Sequence, residues 1–381
     1  MKEKLNYILI FLFLINGIVY FFYPEQIRQE HSNLRYIKYV ILFVFLLINL
    51  SSFKILNILF YLFFIIILFI FSYLGNSSHS FIKWLLYVLP LSTIVFCSDI
   101  YRLKKINKLI IIVYLFSSFV AYYEAFFLNG MFSRYQASGE LRITSIFVNP
   151  TTLGLIMVLL TYYILMNFII TISIKKKRRV WFILMSINSW LIIIFSGSKT
   201  AIVMMLIIYV FFFIYRLKKK SLMFIVNIIF SIFFLSLIYV GFFDFESILN
   251  PEHFGLDMKI REFKMTSLES RLIYIKDFFI GVDKNILFPW YNSYSYVDNA
   301  YLDIWGTFGL LSLLFFLFHN IVWLIKAYKK KRYFLFNMLL YLLIMGTVTN
   351  IFYLSQIAYI YWYIVALINS NKKKVKMKYD Q

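Results

Sequence analysis

Apolar residues in this chain fall into long runs separated by short polar segments, and the runs are long enough to be read as membrane spans. A bilayer-spanning helix needs about 20 mostly apolar residues. The pattern predicts twelve such helices, at 5–23, 37–52, 55–75, 81–98, 107–128, 144–172, 180–196, 200–215, 221–243, 299–325, 334–350 and 352–370. The first run follows Met1-Lys2-Glu3-Lys4 and looks like a secretory signal. It is long enough to span and lacks a small-x-small cleavage site, so it counts as the first membrane helix. In run six, Asn149-Pro150 and Gly154 are expected to interrupt the helix within the membrane, which is tolerated where protein or a polar cavity re-satisfies the backbone. One long polar segment, 244–298, has no strong helical or strand period. A loop that long in an otherwise hairpin-tight chain marks function more often than scaffold. No internal repeat or separate soluble domain is visible. The expectation is a single integral membrane domain with two functional outer segments, 129–142 and 244–298.

Composition agrees with the count. Of 381 residues, 62% are apolar, or about 236 against the roughly 240 that twelve spans would use. Soluble domains run nearer about 45–50% apolar. Together with a mean hydropathy of +0.80, this excludes a soluble enzyme, a disordered chain and a nucleic-acid binder. The net charge of +22 reads instead as topology. With the N-terminus inside, 26 of the 39 basic residues fall in cytoplasmic segments, among them Lys175–Arg179 and Lys329–Arg332, as the positive-inside bias requires. Both termini are then cytoplasmic and 244–298 lies outside. That outer segment carries nine of the 17 acidic residues. The single cysteine, Cys97, allows no internal disulfide or redox pair. Four scattered histidines (His31, His79, His253 and His319) leave little for a metal site, and no cofactor is expected. The 22% aromatic content has two readings: AT-rich codon usage, or an aromatic sugar-binding surface. Lipid tolerates Phe anywhere on a helix.

Candidate chemistry gathers at the outer ends of a few spans. Arg134 and Arg142 precede span six, beside Asn149-Pro150. Arginine suits phosphate oxygens because its planar fork donates two parallel bonds and stays charged; the bland alternative is contact with lipid head groups. Ser196-Gly197-Ser198-Lys199-Thr200 mimics the end of a phosphate-binding loop but lacks its glycine directly before the lysine. Lys199 is a lone outer cation, either snorkelling to head groups or binding an anionic substrate. In the large loop, Ser267–Arg271 supplies Arg271. At the entry to span ten, Asn299, Asp303 and Gly306 share one helical face. An ionisable residue about one turn below the interface is a functional-site hypothesis, against a structural acid that bridges helices. Asp298 is either a reactive carboxylate or the helix N-cap. Glu124, within span five, is the other buried carboxylate, with an interhelical hydrogen bond as its bland role.

At these residues the chain resembles the O-antigen ligase/polymerase superfamily of bacterial surface-polysaccharide assembly, in particular the Wzy-type capsular or O-antigen polymerases. The similarity lies in Arg142 before Asn149-Pro150 and Gly154, the Ser196–Thr200 turn, Ser270-Arg271, and Asp298-Asn299-Ala300-Tyr301-Leu302 followed by Gly309. Order, spacing and hydropathy match across nearly the whole chain, although each motif alone is short. The ligases' His is replaced by Asp298, which favours a polymerase over a ligase to lipid A. The resemblance implies a C-type, metal-independent, inverting glycosyltransferase on the outer face of the cytoplasmic membrane. Its donor and acceptor would be glycans on undecaprenyl pyrophosphate, with membrane lipid around it and a flippase and a chain-length regulator as partners. Arg142, Arg271 and Asp298 would be catalytic; Arg134, Lys199, Asn149, Asn299 and Asp303 would bind substrate. Rival expectations are a ligase-like transferase, and a lipid-linked oligosaccharide flippase or other transporter.

Overall fold

A computed structural model describes residues 2–15, 37–49, 55–74, 78–92, 106–127, 143–147, 149–171, 176–216, 287, 299–347 and 349–369. Among these residues every regular element is a helix. In chain order they are α1 (Lys2–Leu14), α2 (Ile37–Ile48), α3 (Ile55–Leu74), α4 (Ser78–Tyr87), α5 (Leu89–Ser92) and α6 (Ile106–Phe127). A single 3-10 turn, Ser145–Phe147, then leads to α7 (Pro150–Thr171), α8 (Lys176–Ser196) and α9 (Lys199–Arg216). The C-terminal group is α10 (Ala300–Phe308), α11 (Leu310–Lys329), α12 (Tyr333–Gly346) and α13 (Ser355–Asn369). Two stretches, Leu109–Phe127 in α6 and Leu310–Lys329, are long and apolar enough to cross a bilayer. Shorter apolar stretches of 10–17 residues occur in most of the other helices. The expected span 221–243 lies outside the described residues.

Three expected spans are broken rather than continuous. Span four divides at Val88, two residues before Pro90, which cannot donate to the helix ladder. Span six does not start at 144: residues 143–147 are buried and not α-helical, and the helix begins at Pro150. Asn149-Pro150 therefore starts α7 instead of interrupting it, with proline at the first helical position where its missing N–H costs nothing. Span ten divides at Gly309, whose φ of 83° is open to glycine and strained for other residues. There Leu310 N–H donates to Leu287 O at 3.0 Å, which makes Leu287 a tether from the long polar segment to the start of α11.

The centre of the bundle is α7, where Leu153 and Leu155–Leu159 are all buried, as expected of a helix apolar on every side. It packs between α8 and α9 and reaches α12 through Tyr162, whose ring stacks on Phe334 and whose hydroxyl accepts from Asn337 Nδ2 at 2.9 Å. Polar residues at helical spacing tie α6 to α8: Asn188 Nδ2 donates to Tyr114 OH at 2.8 Å and to Ser118 Oγ at 2.9 Å. A second, smaller apolar cluster joins α1 and α2 to α13. In that part of the bundle Asn6 and Asn49 exchange amide hydrogen bonds of 3.3 and 2.9 Å. The outward face is as apolar as the inward one. Leu311, Leu314, Phe318, Ile321 and Ile325 form an exposed stripe on α11, and Leu59, Leu62, Phe63, Ile66, Ile70 and Tyr73 do the same on α3. At the opposite end of α11, the basic turn into α12 caps α13. Lys330 Nζ donates to Ile368 O at 3.0 Å and Arg332 Nη1 to Leu367 O at 2.5 Å. These are the last carbonyls of a helix, where cations are favoured. Burial, then the charges of Arg332 and Lys326, pull the Lys330 amine below its usual pKa.

Candidate functional site

The first part of the candidate site is the buried segment that follows Arg142. Residues 143–147 run through the bundle without α-helical hydrogen bonds, so their polar groups must find other partners. Glu124, fully buried on α6, partners three of them. Its Oε2 accepts from Thr144 N at 2.8 Å and Ser145 N at 2.6 Å, and its Oε1 accepts from Thr144 Oγ1 at 3.2 Å. Ser145 has a φ of 51°, in the left-handed region. Successive N–H groups around such a residue form a small concavity that fits an anion, and here it holds the protein's own carboxylate. Ser145 Oγ donates to Ser117 O at 2.7 Å, and Ile143 N to Phe195 O at 3.2 Å. Asn149 then caps α7, its Oδ1 accepting from Thr151 N at 2.8 Å and Thr152 N at 3.4 Å.

The second part is the α8–α9 turn. Gly197 takes a φ of 63°, the usual left-handed stop of a helix. Ser198 Oγ accepts from Ala201 N at 3.3 Å as the cap of α9, and Ser196 Oγ accepts from Ser198 N at 3.3 Å. The Ser-Gly-Ser sequence is thus explained by the turn itself. Its small side chains also admit Gly154, where an added Cβ would sit 2.7 Å from Ala201 Cβ and 2.9 Å from Ser198 Cβ. This contact sets the N-terminal turns of α7 and α9 side by side and puts Lys199, the first residue of α9, at the same end as Asn149.

The third part is the start of α10. Its N-cap is Asn299, whose Oδ1 accepts from Tyr301 N at 2.9 Å and Leu302 N at 3.1 Å. The cap reading of Asp298 is corrected by this geometry, because the neighbouring residue fills the role. Asn299 Nδ2 donates to Thr347 O at 2.9 Å, and Tyr301 OH donates to Leu343 O at 2.6 Å, so α10 is moored to the end of α12. Asp303 is buried one turn further in. Trp84 Nε1 donates to its Oδ2 at 2.8 Å, and Asn350 and Tyr353 approach the same carboxyl from the turn before α13. The structural alternative for Asp303, a bridge between helices, is the geometry observed. The indole of Trp84 also borders an apolar cavity of about 810 Å³ between α3, α10 and α11. Tyr61, Phe315, His319 and Trp362 line it, with Tyr61 hydrogen-bonded to Ser92.

Asn149 and Lys199 are brought to one end of adjacent helices, and Asn299 and Asp303 lie together on α10. Arg134, Arg142, Arg271 and Asp298 fall outside the described residues, as do the outer segments 129–142 and 244–298 except Leu287. The sequence reading left Glu124 with only a bland role and missed Trp84. A lone acid in an apolar span was the signal for the first; nothing local marks a tryptophan 219 residues from its partner. The fold and these sites define an all-helical protein, among the described residues, with irregular backbone buried inside an apolar bundle. The chain matches no family profile, no curated protein and no solved structure.

Proposed function

We propose that the chain is a multi-pass protein of the bacterial cytoplasmic membrane, with about twelve spans and both termini inside. On the outer face it joins undecaprenyl-pyrophosphate-linked repeat units into capsular or O-antigen polysaccharide, as a metal-independent inverting glycosyltransferase. The apolar exterior of α3 and α11 supports the membrane setting, since exposed apolar stripes of this extent mark a lipid or protein contact. The observation that carries the activity is the buried, non-helical segment between Arg142 and the capped start of α7. At membrane depth such backbone is tolerated only where it is buried in protein or lines a cavity, and this one directly follows an arginine.

Arg142 and Arg271 hold the pyrophosphate oxygens with their planar forks. Lys199, Arg134 and the paired N-terminal ends of α7 and α9 add positive potential there. Asp298 takes the proton from the acceptor hydroxyl as that oxygen attacks the anomeric carbon of the donor. The bond from that carbon to the pyrophosphate oxygen breaks, the configuration inverts, and the lipid pyrophosphate leaves with its charge held by the arginines. The cavity beside α10 offers apolar room for a lipid tail at the same helix.

The test begins with cells lacking the protein. Single repeat units should accumulate on the lipid carrier facing outward; units trapped on the inner face indicate a flippase and sink the proposal. Ala at Arg142 or Arg271 should abolish long-chain polymer at normal protein levels, with Lys restoring only part because it loses the two-pronged geometry. Asp298→Asn should lose about 10²–10⁴-fold in rate, now with no helix cap at stake. Chelators should change nothing. Full polymer from any of these variants removes that residue from the mechanism.

A further inference from the structure

Glu124 has a geometry that its place in an apolar helix does not require. Its carboxylate is buried and directed at one short stretch of backbone, Thr144 and Ser145, with both N–H groups on a single oxygen. Among the described residues its hydrogen-bond partners are the two N–H groups and the Thr144 hydroxyl, none of them a basic side chain. A helix-to-helix bridge would instead reach a side chain on a neighbouring span. What Glu124 holds is a segment with a left-handed residue, one step after Arg142, whose other anchors are Ser117 O and Phe195 O. Without the carboxylate, two buried N–H groups lose their acceptor, and the stretch has no helix to fall back on.

We propose that Glu124 is a positioning residue: by filling the concavity formed by the Thr144 and Ser145 N–H groups, it fixes the backbone of 143–147, which directly follows Arg142 in the chain, and so acts through that residue. The role rests on the polymerase reading given above for Arg142. It is geometric and does not depend on the negative charge. The distinction has a direct consequence. Gln has the same length, and its one carbonyl oxygen can accept both N–H groups where Oε2 now does, while its amide faces the Thr144 hydroxyl. Asp keeps the charge but is one methylene short and cannot reach without pulling the segment toward α6.

The experiment compares Glu124→Gln and Glu124→Asp in the full-length protein, with turnover normalised to inserted protein. A displacement of about 1 Å of a positioned group costs on the order of 10²-fold in rate. Glu124→Gln should keep most of the wild-type kcat, whereas Glu124→Asp should lose on the order of 10²-fold. In an Arg142→Lys background, Glu124→Asp should cost little more, because residues acting through one another are not additive. Hydrogen exchange of peptide 143–147 should be slow in wild type and Glu124→Gln and fast in Glu124→Asp. Asp outperforming Gln, or an additive loss in the Arg142→Lys background, overturns the proposal. A wild-type protein that makes no polymer from lipid-linked units overturns the polymerase reading, and this role with it. The exchange order then still reports on the clamp alone: exchange that is equal in the two variants removes the clamp whatever the activity.

Discussion

Gly154 offers the sharpest test of how α7 and α9 meet. A Cβ built there would lie 2.7 Å from Ala201 Cβ, 2.9 Å from Ser198 Cβ and 3.1 Å from Ser196 Oγ. Carbon atoms rest at about 3.5–4.0 Å, so the two nearest contacts are short by roughly 1 Å. Both atoms are Cβ carbons fixed to helical or turn backbone, and no rotamer change relieves them. Gly154→Ala must therefore push the two helices apart, and a gap of about 0.5–1 Å forfeits a quarter to a half of each contact. Overpacking of this kind costs about 1–3 kcal/mol, while replacing glycine in a helix returns about 1 kcal/mol. The expected net loss is about 0–2 kcal/mol. Adding Ala201→Gly removes the shortest contact but leaves Ser198, so it should restore only part. Gly346 is the control: its Cβ would meet Tyr301 Cε2 at 3.4 Å and Ala300 Cβ at 3.6 Å. Those are ordinary contacts, and Gly346→Ala should be neutral or stabilising by up to about 1 kcal/mol. The measurement is the thermal unfolding midpoint of purified protein in detergent. Gly154→Ala as stabilising as Gly346→Ala, by about 1 kcal/mol, would refute the close crossing.

Topology is checked by labelling in a Cys97→Ser background. Ser293→Cys should react with an impermeant thiol reagent in intact cells and Ser370→Cys only after lysis; the reverse pattern discards the orientation. Arg332→Ala removes a charged donor from the last turn of α13 and should cost about 1–2 kcal/mol. Arg332→Lys should recover some of that loss, and an unchanged midpoint for the Ala variant would mean that the basic turn is there for topology alone.

Hydropathy located the bodies of α6, α8, α9, α12 and α13 to within a few residues, because long apolar runs leave little else to choose. It could not see where the backbone departs from helix inside an apolar run. Val88 and Gly309 are flanked by apolar residues, residues 143–147 lie between Arg142 and Asn149-Pro150, and the breaks come from proline chemistry, a carboxylate on another helix and a positive φ. The chemistry was legible in kind but not in partner. Asp303 stood out as an acid below the expected interface, yet its partner Trp84 is on a helix far away in the chain. Asn149 stood out at an expected interruption of span six and Asn299 at the start of span ten, and both prove to be caps. An Asn two residues before a helical amide has an obvious acceptor to offer, so their side chains are accounted for before any substrate is invoked.

The breaks themselves argue for function. Inside lipid, an unpartnered backbone group costs several kcal/mol, and even plain helices leave such groups at each end. At its breaks and helix starts this chain supplies partners for the exposed N–H groups: Glu124 at 144–145, Ser196 at 198, Asn299 at 301–302 and Leu287 at 310. Three of the four departures adjoin a residue expected to handle substrate, namely Arg142, Lys199 and Asp298. The fourth, at Gly309, tethers the long polar segment that contains Arg271. A scaffold has no reason to place its costliest backbone beside its candidate cations and acid. The proposed polymerase would have one, since a group that must be held to a fraction of an ångström is held better by an anchored turn than by a freely sliding helix end.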